Sequence, residues 1–190
     1  MRKIIAVIGD AYIGQEDTLK YQTAFETDKK IIDNGYRLQC GGLGGVMEAA
    51  CKGAKSSSKY REGDIIGILP SFNVENRNPY IDIPIPTGID IYRNVIVANA
   101  AAVIAIGGGS GTLSEIANAW ALRRMIVAYK NCGGWAAKIA DSRMDERIRY
   151  PSIEDDRVYG VTSADEALEI INARIELYTE YHGGISFLKK

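Results

Sequence analysis

Three glycine-bearing turns hold the residues of this sequence best suited to chemistry. The longest is Gly107-Gly108-Gly109-Ser110-Gly111-Thr112, followed at once by Leu113-Ser114-Glu115. Glycines after an apolar run let the backbone approach an anion without Cβ obstruction. A helix opening at Gly111 or Thr112 turns its unpaired amides and positive dipole end toward the same loop. The hydroxyls of Ser110 and Thr112 add donors, so Gly108, Gly109, Ser110, Gly111 and Thr112 form a candidate phosphate cradle. Gly41-Gly42-Leu43-Gly44-Gly45-Val46-Met47-Glu48 repeats the physics, with Gly42, Gly44 and Gly45 as candidate contacts. Gly9-Asp10 closes the first apolar run and would line the same crevice. No lysine follows the 107–112 turn, so it is not a P-loop, and its spacing is not GxGxxG. Such a turn also serves as a plain tight connection between strand and helix.

Two charged residues stand next to these turns. Glu115 falls one helical turn after Thr112. There it either caps the helix or projects over the loop, where a carboxylate orients a ribose or takes a proton from water. Arg93 precedes the strand that runs into the 107–112 turn. Arginine is most often solvated; the other reading is a bidentate clamp on phosphate or carboxylate. His182 is the single histidine and lies in the tail, which argues against Ser–His–Asp catalysis and leaves no metal site to propose. Cys40, Cys51 and Cys132 are odd in number and lack CxxC spacing, as expected of reduced, buried thiols in a cytoplasmic protein.

The elements that must position these residues alternate along the chain. Short apolar runs at 3–8, 36–40, 64–69, 81–85, 101–106, 125–128 and 158–161 read as strands. Helical patterns fall at 19–33, 46–54, 91–99, 112–124, 133–140 and 164–178, the last with Ser163 as N-cap and Glu166 three residues on. Residues 71–80 and 141–156 read as loops. Strand followed by helix throughout predicts a mainly parallel sheet covered on both faces, a Rossmann-like three-layer α/β/α fold. Ligands of such sheets sit beyond the carboxyl ends of the strands, where all three glycine turns fall. One domain over residues 1–178 and a peripheral tail over 179–190 is the economical division.

With 190 residues, 46% of them hydrophobic and 25% charged, the chain can bury a substantial core. A net charge of −1 and no long basic stretch argue against nucleic acid as a partner. The N-terminal apolar run stops at Gly9-Asp10, too early for a signal peptide. No stretch approaches the roughly 20 apolar residues needed to span a bilayer.

The combination Arg93-Asn94-Val95-Ile96, Ala102-Val103-Ile104-Ala105-Ile106 and GGGSGTLSE resembles the lonely-guy (LOG) type superfamily and its PGGxGTxxE pattern. GGLGGVMEA at 41–49, ILP at 68–70 and PTG at 86–88 are closer to its molybdenum-cofactor-carrier-like branch, and the likeness runs over roughly residues 3–175. The resemblance implies a Rossmann-like fold, a homodimer or homotetramer, and a phosphorylated small molecule as ligand, either a nucleoside monophosphate or molybdenum cofactor. In the phosphoribohydrolase branch an arginine and the last glutamate of the pattern form the catalytic pair; these match Arg93 and Glu115. Such enzymes hydrolyse the N-glycosidic bond of nucleoside 5′-monophosphates, releasing base and ribose 5-phosphate. Gly107 stands where that branch has proline, and Asn94 where it has lysine. A lysine decarboxylase label carried by some members has no support here, because no pyridoxal-phosphate lysine site is recognisable.

Overall fold

The structure is a computed structural model that describes residues 1–14 and 16–180. The tail from Tyr181, with His182, lies outside the described residues. Seven strands form one sheet: β1 (Ile4–Gly9), β2 (Arg37–Cys40), β3 (Ile65–Leu69), β4 (Ile83–Pro86), β5 (Ala102–Ile106), β6 (Met125–Tyr129) and β7 (Val158–Val161). Six α-helices follow strands other than β3, which leads into β4 without a helix: α1 (Thr18–Asp33), α2 (Val46–Lys55), α3 (Asn94–Ala98), α4 (Ser110–Ala121), α5 (Gly134–Ile139) and α6 (Ala164–Arg174). The strand order is β4-β3-β2-β1-β5-β6-β7 and every pairing is parallel.

Burial of both sheet faces explains why the strands read as unbroken apolar runs. Ile5, Val7, Leu38, Ile104, Ile106 and Val127 belong to the core that includes Ala24 and Ile31 of α1, Ala50 of α2 and Leu168 of α6. Ala6, Ile8, Val103, Ala105 and Ile126 point the other way, into a core with Val97 of α3, Ile116 and Trp120 of α4 and Ala136 of α5. The expected Rossmann-like α/β fold is therefore present.

Helix boundaries follow local capping. Asp17 accepts the Lys20 amide to open α1, which stops at Asn34 before Gly35 at φ 82°. Ser163 opens α6 by accepting the Glu166 amide at 3.2 Å. The Glu166 carboxylate returns to the Thr162 amide at 2.6 Å, one residue earlier than in a standard capping box.

Four expected elements differ in extent, the helix expected over 164–178 ending at Arg174 and passing into a 3₁₀ turn (Ile175–Leu177). The helix expected over 112–124 begins at Ser110 and ends at Ala121, because Arg123 adopts φ 60°. The helix expected over 91–99 divides into a 3₁₀ turn (Asp90–Arg93) and the five-residue α3. The strand expected over 81–85 is Ile83–Pro86, since Asp82 uses its carboxylate to accept the amides of Gly63 and Ile65. At the far end of β4, the Thr87 amide donates to the Leu69 carbonyl.

Candidate functional site

The chain leaves β1 toward β2, β3 and β4 on one side, then returns through β5 to build β6 and β7 on the other. The order reverses between β1 and β5, whose ends meet at Gly9 opposite Ile106. A crevice at such a point is where doubly wound sheets receive ligands. Here it holds a cavity of about 390 Å³. Gly9 at the end of β1 and Asp10 just after it, Arg93 from the 3₁₀ turn, Gly109 just before α4, and Ser110, Gly111, Thr112 and Glu115 of α4 all line it.

The turn into α4 needs glycine where it bends, with Gly107 at φ 65° and Gly108 at φ 92°. Both are buried, and α5 folds over them, Ala136 and Trp135 donating amides to their carbonyls. The Gly108 amide is not free for a ligand, because Asp10 Oδ2 accepts it at 3.0 Å. Lys20 Nζ pairs with the same carboxylate oxygen at 3.0 Å. The amides of Gly109, Ser110, Gly111 and Thr112 meet no acceptor among the described residues. Gly109, Ser110 and Gly111 are also exposed, whereas the Thr112 side chain folds back against Gly108. With an N-cap that offers no side-chain bond, the positive end of a twelve-residue helix opens onto the cavity.

Arg93 and Glu115 share this cavity, and both are 8% exposed. The guanidinium Nη1 is buried without a hydrogen-bond partner. Burial lowers the pKa of Arg93, and the field of Glu115 works against that shift. Burial raises the carboxyl of Glu115 to about 7, offset in part by Arg93. No ion pair within 4.0 Å joins the two among the described residues. Glu115 also makes no helix cap: it is the sixth residue of α4, beyond the first turn, and among the described residues its carboxylate accepts no bond from the Gly109 amide. Arg93 reaches this position because Asp90, at φ 48°, turns the chain tightly, and because Gly41 leaves room. A Cβ on Gly41 would overlap both terminal nitrogens of the guanidinium. Asn94 Nδ2 lies 3.4 Å from the Gly111 carbonyl and 3.3 Å from Ser114 Oγ, tying α3 to α4.

The second glycine turn divides. Gly42 is buried against Leu69 and does not line the Arg93 cavity, and its carbonyl accepts the Asn78 amide at 2.9 Å. Gly44 and Gly45 line a separate cavity of about 730 Å³, which shares Ala11 with the first. Tyr12, Tyr21, Tyr80 and Lys52 also line it; none drew notice in the sequence, because exposed tyrosines on a loop or helix carry no local signature.

Across residues 2–166 the chain matches the model of the SLOG cluster4 family. The chain belongs to the SLOG cluster4 family. The LOG-type resemblance seen in the motifs, on the molybdenum-cofactor-carrier-like side, holds for this SLOG cluster4 protein. An uncharacterized protein of Archaeoglobus fulgidus is 40% identical over 127 residues, covering 66% of this chain and 79% of the relative. Among solved structures, the molybdenum cofactor binding protein from Rippkaea orientalis is 29% identical with a TM-score of 0.73, covering 92% of this chain and 98% of its own. The molybdenum cofactor carrier protein from Chlamydomonas reinhardtii is 27% identical with a TM-score of 0.70, covering 93% and 99%. No group of three or more His, Cys, Asp or Glu side chains among the described residues is arranged to hold a metal ion. No helix among them is long and apolar enough to cross a membrane.

Proposed function

We propose that this chain holds a phosphate-bearing nucleotide or nucleotide-like cofactor, molybdenum cofactor included, with its phosphate between Arg93 and the first turn of α4. The observation that carries this reading is the buried, unpartnered Nη1 of Arg93 in the same cavity as four amides without acceptors. A buried cationic donor with no partner is costly. A phosphate oxygen removes that cost and takes the helix-end amides as well. A phosphorylated pterin fits this donor set through its phosphate, which Arg93, Gly109, Ser110 and Gly111 would hold. When bound, such a group would supply its own metal chemistry. The chain's part is to bind the phosphate, orient the rings and screen them from water. Equilibrium binding of AMP, GMP and molybdopterin tests the reading, and failure of all three to bind would refute it.

A second reading, phosphoribohydrolase activity, is favoured by Glu115. A carboxyl with a pKa of about 7 is poised for proton transfer near neutral pH. In its ionised form Glu115 would take a proton from water attacking the ribose anomeric carbon. The bond to the base would break, the bonding pair leaving on the base nitrogen. Arg93 would hold the phosphate throughout. Release of free base by wild type, lost in Glu115→Ala, is the expected result; equal inactivity of both would remove the reading.

Self-association into a homodimer or homotetramer belongs to the same proposal. Ile83, Ile85, Ile91, Tyr92, Val95 and Ile96 are exposed, and Ile91 also lines the Arg93 cavity. Sedimentation equilibrium tests it, with a monomer at all concentrations as the refuting result. The free, buried thiols of Cys40, Cys51 and Cys132 support the cytoplasm as the compartment.

A further inference from the structure

Two thiols meet beneath the second glycine turn. Cys40 ends β2 and Cys51 lies in the second turn of α2, both fully buried. Their sulfurs are 3.5 Å apart. The residues between them, 41–50, include the whole Gly41–Gly45 turn.

Two N–H groups are aimed at the pair. The Gly42 amide donates to Cys40 Sγ at 3.4 Å, and Asn78 Nδ2 lies 3.7 Å from Cys51 Sγ. Such donors bind a thiolate more strongly than a thiol. The Cys51 S–H bond, joined by the Gly42 amide and the field of Arg93, lowers the pKa of Cys40 against the effect of burial. The same contact, and then burial, raises that of Cys51. Cys40 is therefore the nucleophile of the two. Asp28 of α1 completes the cluster: it is fully buried, neither carboxyl oxygen has a partner, and its field reaches both sulfurs. Cys132 provides the contrast. It is buried too, but its Sγ faces oxygens of Thr23 and Asn131 rather than a second sulfur.

The cover over the sulfurs selects the oxidant. Gly41, the next residue, lines the Arg93 cavity, which brings solvent to within one residue of Cys40. Full burial of both sulfurs leaves entry only to a molecule near the size of water.

We propose that Cys40 and Cys51 form a dithiol–disulfide couple oxidised by hydrogen peroxide, with Asp28 relaying the proton of Cys51. The Cys40 sulfur attacks one peroxide oxygen, the O–O bond breaks, and the departing hydroxide takes the Cys40 proton to leave as water. Cys51 sulfur then attacks the sulfenic acid on Cys40. The S–S bond forms, the S–O bond breaks, and hydroxide leaves as a second water with the Cys51 proton, passed through Asp28. Two thiols give up two electrons and one peroxide gains them.

The test is mass spectrometry with differential alkylation of the full chain after peroxide, using wild type, Cys51→Ser and Asp28→Asn. The expected wild-type result is one disulfide joining Cys40 to Cys51, reversed by dithiothreitol, with Cys132 still a thiol. Oxidised glutathione at the same concentration should form it at least tenfold more slowly. Cys51→Ser should stop at a sulfenic acid on Cys40, trapped by dimedone. Asp28→Asn should slow disulfide formation at least fivefold, with circular dichroism showing both variants folded. The couple is overturned if Cys132 is oxidised as fast as the pair, or if Cys40 and Cys51 stay thiols under peroxide that oxidises free cysteine. The wild-type readings decide this even where a variant fails to fold. Equal rates in wild type and Asp28→Asn overturn the relay.

Discussion

Replacing Arg93 with methionine separates a ligand-binding arginine from a structural one. Methionine keeps an apolar stem of similar reach and removes the guanidinium, whose terminal nitrogens are the atoms that approach Gly41. In a buried ion pair, loss of one partner typically costs about 3–5 kcal/mol of stability. Among the described residues Arg93 makes no ion pair within 4.0 Å and its Nη1 has no acceptor, so little native-state bonding is lost. The apo protein should therefore change by no more than about 1 kcal/mol, within the range of small-effect substitutions. Ligand affinity should respond quite differently. A charge-assisted hydrogen bond is worth about 1.5–3 kcal/mol, which corresponds to roughly 10- to 150-fold in Kd for one lost bond. Urea denaturation and calorimetric titration with AMP on the same preparations give both quantities. A variant that loses about 3 kcal/mol or more of stability but binds AMP as wild type does would refute the reasoning. Arg93 would then be a pillar of the fold, and the unpartnered nitrogen would have no bearing on ligand.

Three more outcomes follow from the same geometry. Gly41→Ala should weaken AMP binding by displacing the guanidinium, and should have almost no further effect in an Arg93→Met background; additive losses in the double variant would show that the two residues act separately. Glu115 is mostly protonated below its pKa of about 7 and becomes an anion beside the phosphate above it. AMP affinity of wild type relative to Glu115→Gln should therefore fall severalfold between pH 6 and pH 8, and a flat ratio in titration calorimetry would contradict this. Asp28 is fully buried with both carboxylate oxygens unpartnered, and burial followed by the field of Cys40 raises its pKa well above the usual value. A raised native pKa means the folded state keeps a proton that the unfolded chain has released. Its contribution to stability is complete below about pH 4 and declines as pH rises toward the native value. Asp28→Asn should remove that decline, read as a smaller loss of urea midpoint between pH 5 and pH 8 than in wild type.

The alternation of elements and the position of the glycine turns were readable because each has a local cause. Buried parallel strands must be apolar on both sides, and the bends at Gly107 and Gly108 require positive φ. Other features depend on contacts distant in sequence. Whether Gly108 offers its amide to a ligand is decided by Asp10, 98 residues away. Nothing near Gly42 distinguishes it from Gly44, yet Leu69 and Asn78 bury one and leave the other beside a cavity. Arg93 and Glu115 stood out by their places beside the glycine turns, but by residue type Arg93 reads more often as a surface charge and Glu115 also as a helix cap; the family resemblance is what paired them. The charged stretch 141–156 reads as solvated loop, but Arg149 inside it is 4% exposed. Its guanidinium stacks 3.6 Å from the centre of the Trp120 ring and pairs with Asp156. Arginine can do this because a planar, weakly hydrated cation fits both an aromatic face and a carboxylate fork.

The outer margin of the sheet at β4 limits how copies of this chain can meet. Thr87 turns its amide inward to Leu69, so by alternation Pro84 and Pro86 face outward, where each lacks the hydrogen that a neighbouring strand would need. A strand from another molecule would find no regular row of donors along that margin. Growth of the sheet by strand addition is closed off there, as is fibril-like stacking through the same border. Contact on this side of the molecule must therefore be made by side chains against a face, and remains a matter of shape rather than of shared backbone pairing.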